Sequence, residues 1–477
     1  MGSRINMGTF QEASQDMDVE ALARNRKRYV TMMVVVGIFG GGLYGYTLTF
    51  LSGALVTMNF DGSNNQLSAW NQSIITAVML LGCAVGSFCG GNLADHLGRK
   101  RLILYGALLA VVGALMCALA TNIAFFAFSR MVVGFAVGTT SCVIPIYLGE
   151  MAPSAQRGRL VSVNSVMINI SQLLASLVNA VLAVKADWHA MVWAAVVPAV
   201  LLVITAVFVH ETPSFLARHG METEAVKLLL ETRPKSEAEE TFTSFQASEK
   251  NESEGDKENF STPWLRRVLI AGVGAALINQ LVGSNAINFF APTMFSSTLG
   301  IDPDNSIIAM VPVMIVSSVA AVIGGLGFID KINRRTALMV GLGGVSVFLA
   351  LVGVCYLFID PNHPSTSMSW LLIGLVMFDL AFAQGLVSPV TWLLIAEVFP
   401  AKVRGKGVGY ANVAINAANF IISLLFLPLL NAVGGAVTFF IFAVINVGAI
   451  FFTKAFIPET RGKSLEQIEQ EARARTA

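Results

Sequence analysis

Nine residues of this chain occur twice in one pattern. Glu150-Met-Ala-Pro-Ser-Ala-Gln-Arg-Gly158 and Glu397-Val-Phe-Pro-Ala-Lys-Val-Arg-Gly405 both read E-x-x-P-x-x-x-R-G, and each follows a long apolar run. Two further pairs keep a similar offset. Gly91-x-x-x-Asp95-x-x-Gly98-Arg99-Lys100 is echoed by Asp330-Lys-Ile-Asn-Arg-Arg335, and His210-Glu-Thr-Pro213 by Pro458-Glu-Thr-Arg461. A chain that repeats itself at half its length is built from two copies of one module. In membrane proteins such halves form a device that rocks around a site held between them.

The apolar runs decide the environment. Stretches of about 20 residues, enough to cross a bilayer, recur throughout. Twelve are expected: 31–51, 72–93, 101–121, 123–147, 159–183 and 190–209, then 266–290, 305–328, 336–357, 370–396, 405–430 and 435–456. Hydrophobic residues make up 55% of the chain and charged residues only 13%, which excludes a water-soluble globule. Lipid cannot satisfy open backbone groups, so the spans must be helical. The expected fold is therefore an all-α membrane protein of twelve transmembrane helices in two six-helix halves.

Cationic residues orient it. Arg24, Arg26, Lys27, Arg28, Arg99, Lys100, Arg101, Arg157, Arg159, Lys331, Arg334, Arg335, Lys402, Arg404 and Lys406 precede the first span or occupy alternate loops, whereas the opposite loops carry only Lys185. By the positive-inside rule both termini are expected in the cytoplasm. The organisation follows: a cytoplasmic segment 1–30, a first half 31–210, cytoplasmic linker helices 211–265, a second half 266–456 and a cytoplasmic tail 457–477. Within the linker, Glu222–Thr232 reads as amphipathic. The first 30 residues are polar, without the apolar stretch of a signal peptide. Asn at position 6 argues against myristoylation of Gly2. A plasma or bacterial inner membrane, no nucleic-acid partner, a working monomer and no cofactor are expected. No metal cluster, nucleophile–base pair or phosphate-binding glycine loop is apparent.

With those strings assembled, the chain resembles the sugar porter family of the major facilitator superfamily over nearly its whole length. The resemblance rests on Gly91-x-x-x-Asp95-x-x-Gly98-Arg99-Lys100, on Arg130 with Pro145-Ile-Tyr147 and Glu150, and on Arg157-Gly158. It also rests on Gln280-Leu-Val-Gly283-Ser-Asn285 followed by Phe289-Phe-Ala-Pro292, and on Pro458-Glu-Thr-Arg-Gly462. It implies the major facilitator fold and monosaccharide transport, best fitted by a hexose, with a pentose or cyclitol close behind.

A sugar offers hydroxyls that need donors and acceptors within an apolar shell, and neutral amides supply both without the cost of a charge. Gln172 in span 5, Asn279, Gln280 and Asn285 in span 7, and Asn416 and Asn419 in span 11 meet that need. The same amides also serve as helix–helix hydrogen-bonding groups in membranes. On a continuous helix Gln280 and Asn285 lie roughly 140° apart and flank a concave surface. Tyr44 and Trp392 are expected at the sugar ring, with Phe289, Phe290 and Pro292 at the outer gate. The resemblance further implies a cytoplasmic gate of Asp95, Arg99, Glu150, Arg157, Asp330, Arg334, Glu397 and Arg404, forming ion pairs between the halves when the site faces outward.

Three departures matter. Proton-coupled members carry an acid after the Gly-Tyr of span 1, where this chain has Thr47, although Arg130, the partner such an acid would engage, is retained. A threonine cannot titrate, so facilitated diffusion is favoured over symport. Against that stands Asp379, deep in span 10, where a charge is expensive and usually functional; with Arg130 it forms the alternative route for proton coupling. Asn416 and Ser318 replace an expected tryptophan and asparagine, which implies a more open and polar pocket. A nutrient sensor on the same scaffold is a third reading.

Overall fold

The computed structural model describes residues 19–60, 67–185, 187–243, 260, 262–325, 332–359, 366–400, 403–461, 463, 467, 469–470 and 473. Twelve helices among them are long and apolar enough to cross a membrane. They run Asn25–Thr57, Ala69–Leu97, Arg99–Ala118, Ile123–Met151, Ser154–Ala183 and Trp188–Phe208 in the first half. Pro263–Ser297, Pro303–Ile323, Arg334–Phe358, Thr366–Val398, Lys406–Val433 and Gly435–Phe456 form the second. These are the twelve expected spans, most of them several residues longer than the apolar run alone, because capping residues carry the helices into the loops.

Caps mark the starts. Ser68 accepts from the Asn71 N–H, Asn122 from Phe125 and Asp187 from Ala190, each filling an orphan donor of a helix first turn. Between spans 6 and 7, Pro213–Arg218 and Glu222–Thr232 form short helices, and residues 235–243 a further one. The apolar face of the second is buried, as its amphipathic pattern requires.

Within the first half, spans 1 and 5 pair, as do spans 2 and 4. Between the halves, span 2 lies along span 11, span 5 along span 8 and the C-terminal part of span 7 along span 1. Large apolar side chains such as Phe88, Val181, Phe208, Phe358, Val444 and Phe451 stay on the outside, an arrangement that suits hydrocarbon and not water.

Two spans of the second half are irregular. Span 7 stops at Leu281 and restarts at Ser284, with Gly283 between them at φ +82°. Span 10 changes to a π-turn over Ala383–Val387 before resuming at Ser388. Turns of that kind are frequent at functional sites.

Candidate functional site

The break in span 7 gathers three of the six expected amides. Asn285 Nδ2 donates to Gln280 Oε1 at 2.8 Å, Gln280 Nε2 donates to Asn279 Oδ1 at 2.9 Å, and Asn279 Nδ2 donates to Thr391 Oγ1 of span 10 at 2.7 Å. Four side chains thus make one chain of hydrogen bonds across two spans. This corrects the expectation that Gln280 and Asn285 stand on separate faces. That expectation assumed an unbroken helix, and Gly283 in the left-handed region ends it, turning the two amides into contact. The freed backbone finds a partner: Asn446 of span 12 donates to the Leu281 carbonyl at 3.5 Å.

The other expected residues differ in burial. Gln172 and Tyr44 are half-buried, as is Asn416, whose amide donates to its own helix at Asn412. Asn419 is buried and accepts from Ser423. Trp392 has half its surface exposed, while neighbouring Thr391 is fully buried.

One polar group escaped the sequence reading. Asn288 lies a single residue before Phe289, is buried, and its Oδ1 has no partner among the described residues. The signal was present, since Asn285 and Asn288 are three apart and share a helix face.

Phe289, Phe290 and Pro292 are all buried on the C-terminal part of span 7. Phe290 stacks on Phe426 of span 11 at 5.9 Å, and Phe426 meets Phe439 and Phe442 of span 12. Phe290 therefore belongs to an aromatic core inside the second half. Closure between the halves at this end is marked by Thr293, whose hydroxyl donates to Gln72 Oε1 of span 2 at 3.3 Å. A second bond between halves runs from Ser318 to the Asn169 carbonyl at 3.3 Å.

At the basic end the repeated motifs build the same device twice. Arg99 pairs with Asp95 at 2.7 Å and with Glu150 at 3.1 Å; Arg334 pairs with Glu397 at 3.7 Å. Glu211 accepts the backbone N–H groups of Arg99 and Lys100, and Glu459 those of Arg334 and Arg335. Each carboxylate thereby caps the helix start that follows the loop, where backbone donors and the helix dipole favour negative charge. Each of these contacts lies within one half, where it fastens neighbouring spans. Arg157 is exposed and pairs with no described residue. Asp330 and the Arg404 side chain lie outside the described residues. Arg233 of the linker adds a clasp, donating to the Glu150 and Met151 carbonyls where span 4 ends.

Two charges are buried at depth. Arg130 is 1% exposed and donates to the Thr47 carbonyl at 3.3 Å, with the Phe50 ring 5.2 Å from its guanidinium carbon. Asp379 is fully buried, and neither carboxylate oxygen has a partner among the described residues.

Paired six-span halves, an interrupted span at their junction and polar side chains gathered at that interruption define a secondary transporter and not an enzyme. The chain belongs to the sugar transporter family: the family model described as "Sugar (and other) transporter" matches residues 33–472. The major myo-inositol transporter IolT of Bacillus subtilis is 33% identical over 94% of this chain and 96% of its own length. The glucose transporter GlcP of Staphylococcus epidermidis is 34% identical over 93% of this chain and 98% of its own. In fold, the chain is similar to the inward open conformation of the xylose transporter XylE from E. coli. There the TM-score is 0.79 at 24% identity, covering 93% of this chain and 99% of that one.

Proposed function

We propose that this protein moves a monosaccharide, a hexose foremost, through the membrane by facilitated diffusion with alternating access. The observation that carries the reading is the hydrogen-bonded run Asn285–Gln280–Asn279–Thr391 at the broken span. Its members offer paired donors and acceptors to hydroxyls without a fixed charge. Gln172, Tyr44, Trp392, Asn416 and Asn419 complete the pocket in this reading. Relatives that carry glucose and myo-inositol in their names support a ring bearing several hydroxyls, and keep a cyclitol in contention.

The basic face lies toward the cytoplasm by the charge rule, with both termini there. Thr293 and Gln72 then lie at the closed outer end, and the conformation faces inward. Phe289 and Pro292 close the outside, while Phe290 anchors their segment to spans 11 and 12. When the site faces outward, the Arg99 and Arg334 clusters meet across the halves, with Arg157 and Arg404 joining. Each exposed pair contributes about 1 kcal/mol or less, enough to bias a two-state equilibrium without freezing it.

Labelled glucose uptake into proteoliposomes, with and without a pH gradient and against a panel of sugars and cyclitols, tests this. Equal final concentrations on both sides, whatever the gradient, are expected. A second reading, proton symport, is favoured by the buried and unpartnered Asp379 carboxylate beside the π-turn. Accumulation driven by the gradient, and lost in Asp379→Asn, would establish it and overturn facilitation.

A further inference from the structure

The first half encloses a small cavity unrelated to the sugar-binding amides. Thr47 and Phe50 of span 1, Ala114 and Cys117 of span 3, Arg130 of span 4 and Val192 of span 6 are among its lining residues. Its usable part admits roughly one water-sized body. Arg130 is the cavity's single charged group. A guanidinium keeps its proton in proteins and has five N–H donors to satisfy. Here one of them reaches the Thr47 carbonyl, at a long 3.3 Å, and Nε has no partner among the described residues. The Thr47 hydroxyl is committed elsewhere, donating to the Leu43 carbonyl at 2.6 Å. No described acidic side chain pairs with Arg130. The Phe50 ring offers its electron-rich face, a weak substitute for a counterion.

A full positive charge without an acidic counterion is costly in so apolar a place. The cavity beside it is the size of a single small ion. We propose that it binds one small monovalent anion, chloride under physiological conditions, held by Arg130 and bracing span 1 against span 4. A halide fits the chemistry better than an oxyanion does. It needs few donors and occupies about the volume of one water, whereas the oxygens of a phosphate or sulfate would find only alkyl, thiol and phenyl walls. No sugar-assigned residue lines the cavity, so this site and the sugar site stand or fall separately.

The test is thermal unfolding of the purified transporter in detergent, with chloride exchanged for gluconate at constant ionic strength. Chloride at a hundredfold excess over its dissociation constant should raise Tm by about 3 °C, since a ligand that binds only the folded state stabilises it. Bromide should replace chloride. Thr47→Asp places a carboxylate on the residue whose carbonyl Arg130 already reaches. It should raise Tm in gluconate and abolish the response to chloride. Equal melting of the wild type in the two salts, or a chloride response undiminished in Thr47→Asp, overturns the proposal. If that variant fails to fold, anomalous scattering from bromide-soaked wild-type crystals decides. A peak within hydrogen-bond distance of Arg130 Nε supports the site, and no peak there refutes it.

Discussion

The two halves carry the same motifs but are packed by different means. In the first, Gly82 and Gly86 of span 2 face Gly134 and Gly138 of span 4, and at each the nearest obstacle to a Cβ is a backbone carbonyl of the other helix. Main chain lies on main chain, as small residues four apart allow. In the second, spans 8 and 10 still meet main chain to main chain at Gly324 and Gly385, but other gaps are filled by rings: Phe382 of span 10 lies over Gly344 of span 9, and Phe399 over Gly272 of span 7. The breaks at Gly283 and Ala383–Val387 lie in that half, whereas the first half has a one-residue interruption at Ala195 of span 6. A ring can rotate where a carbonyl cannot withdraw without moving its helix. Spans 2 and 4 of the first half are thus locked main chain to main chain, whereas the ring-filled gaps give spans 7 and 9 of the second more room to deform.

The sharpest way to break this comparison is a pair of matched glycine substitutions. Gly86→Ala should cost about 3 kcal/mol, near the top of the overpacking range, because the Phe135 carbonyl stands in the way. Gly344→Ala should cost about 1 kcal/mol, since Phe382 can turn aside. Melting temperatures in detergent decide, and equal losses would dissolve the contrast.

Next in size comes Gln280→Ala. It removes the middle of the amide run and should lower sugar uptake about 10- to 100-fold, the loss of one or two hydrogen bonds, with a smaller effect on Tm. Unchanged uptake would mean that these amides only hold helices together. Gly283→Ala forces a side chain to φ +82° and should destabilise by about 1 kcal/mol. If the second half is the deforming part, turnover should fall more than apparent affinity, which uptake kinetics resolve.

The smallest effects belong to the device the halves share. Glu211→Gln and Glu459→Gln each leave a helix start without its anionic cap and should cost about 0.5–1 kcal/mol. Near-equal Tm shifts are expected. A large inequality would show that the repeat is only superficial at its loops.

Much of this was legible in the sequence because length and apolarity alone set where a helix can cross lipid. The repeats were legible too, since Glu150 and Glu397, or Glu211 and Glu459, meet the same kinds of partner in each half. What misled was rotation about a single residue. Gly283 reads as a point of bending, but its left-handed torsion is a property of the folded chain, and it brings Gln280 to Asn285. Phe290 reads as a gate until Phe426 is found beneath it. Asn446 sits far along the chain, and nothing near it in sequence says that it serves the Leu281 carbonyl. For Arg130 the sequence marks a missing acid, whereas only packing reveals the space left beside it.

The caps at Glu211 and Glu459 bear on how the chain is made. Each glutamate lies just beyond the last span of its half yet closes a loop formed four spans earlier. A ribosome must therefore deliver all six spans before either half can be clasped. The first then finishes on contacts of its own, while the second is still unsynthesised. Truncation after the linker should leave a half able to fasten its loop, whereas truncation before residue 211 should leave the start of span 3 frayed and open to protease.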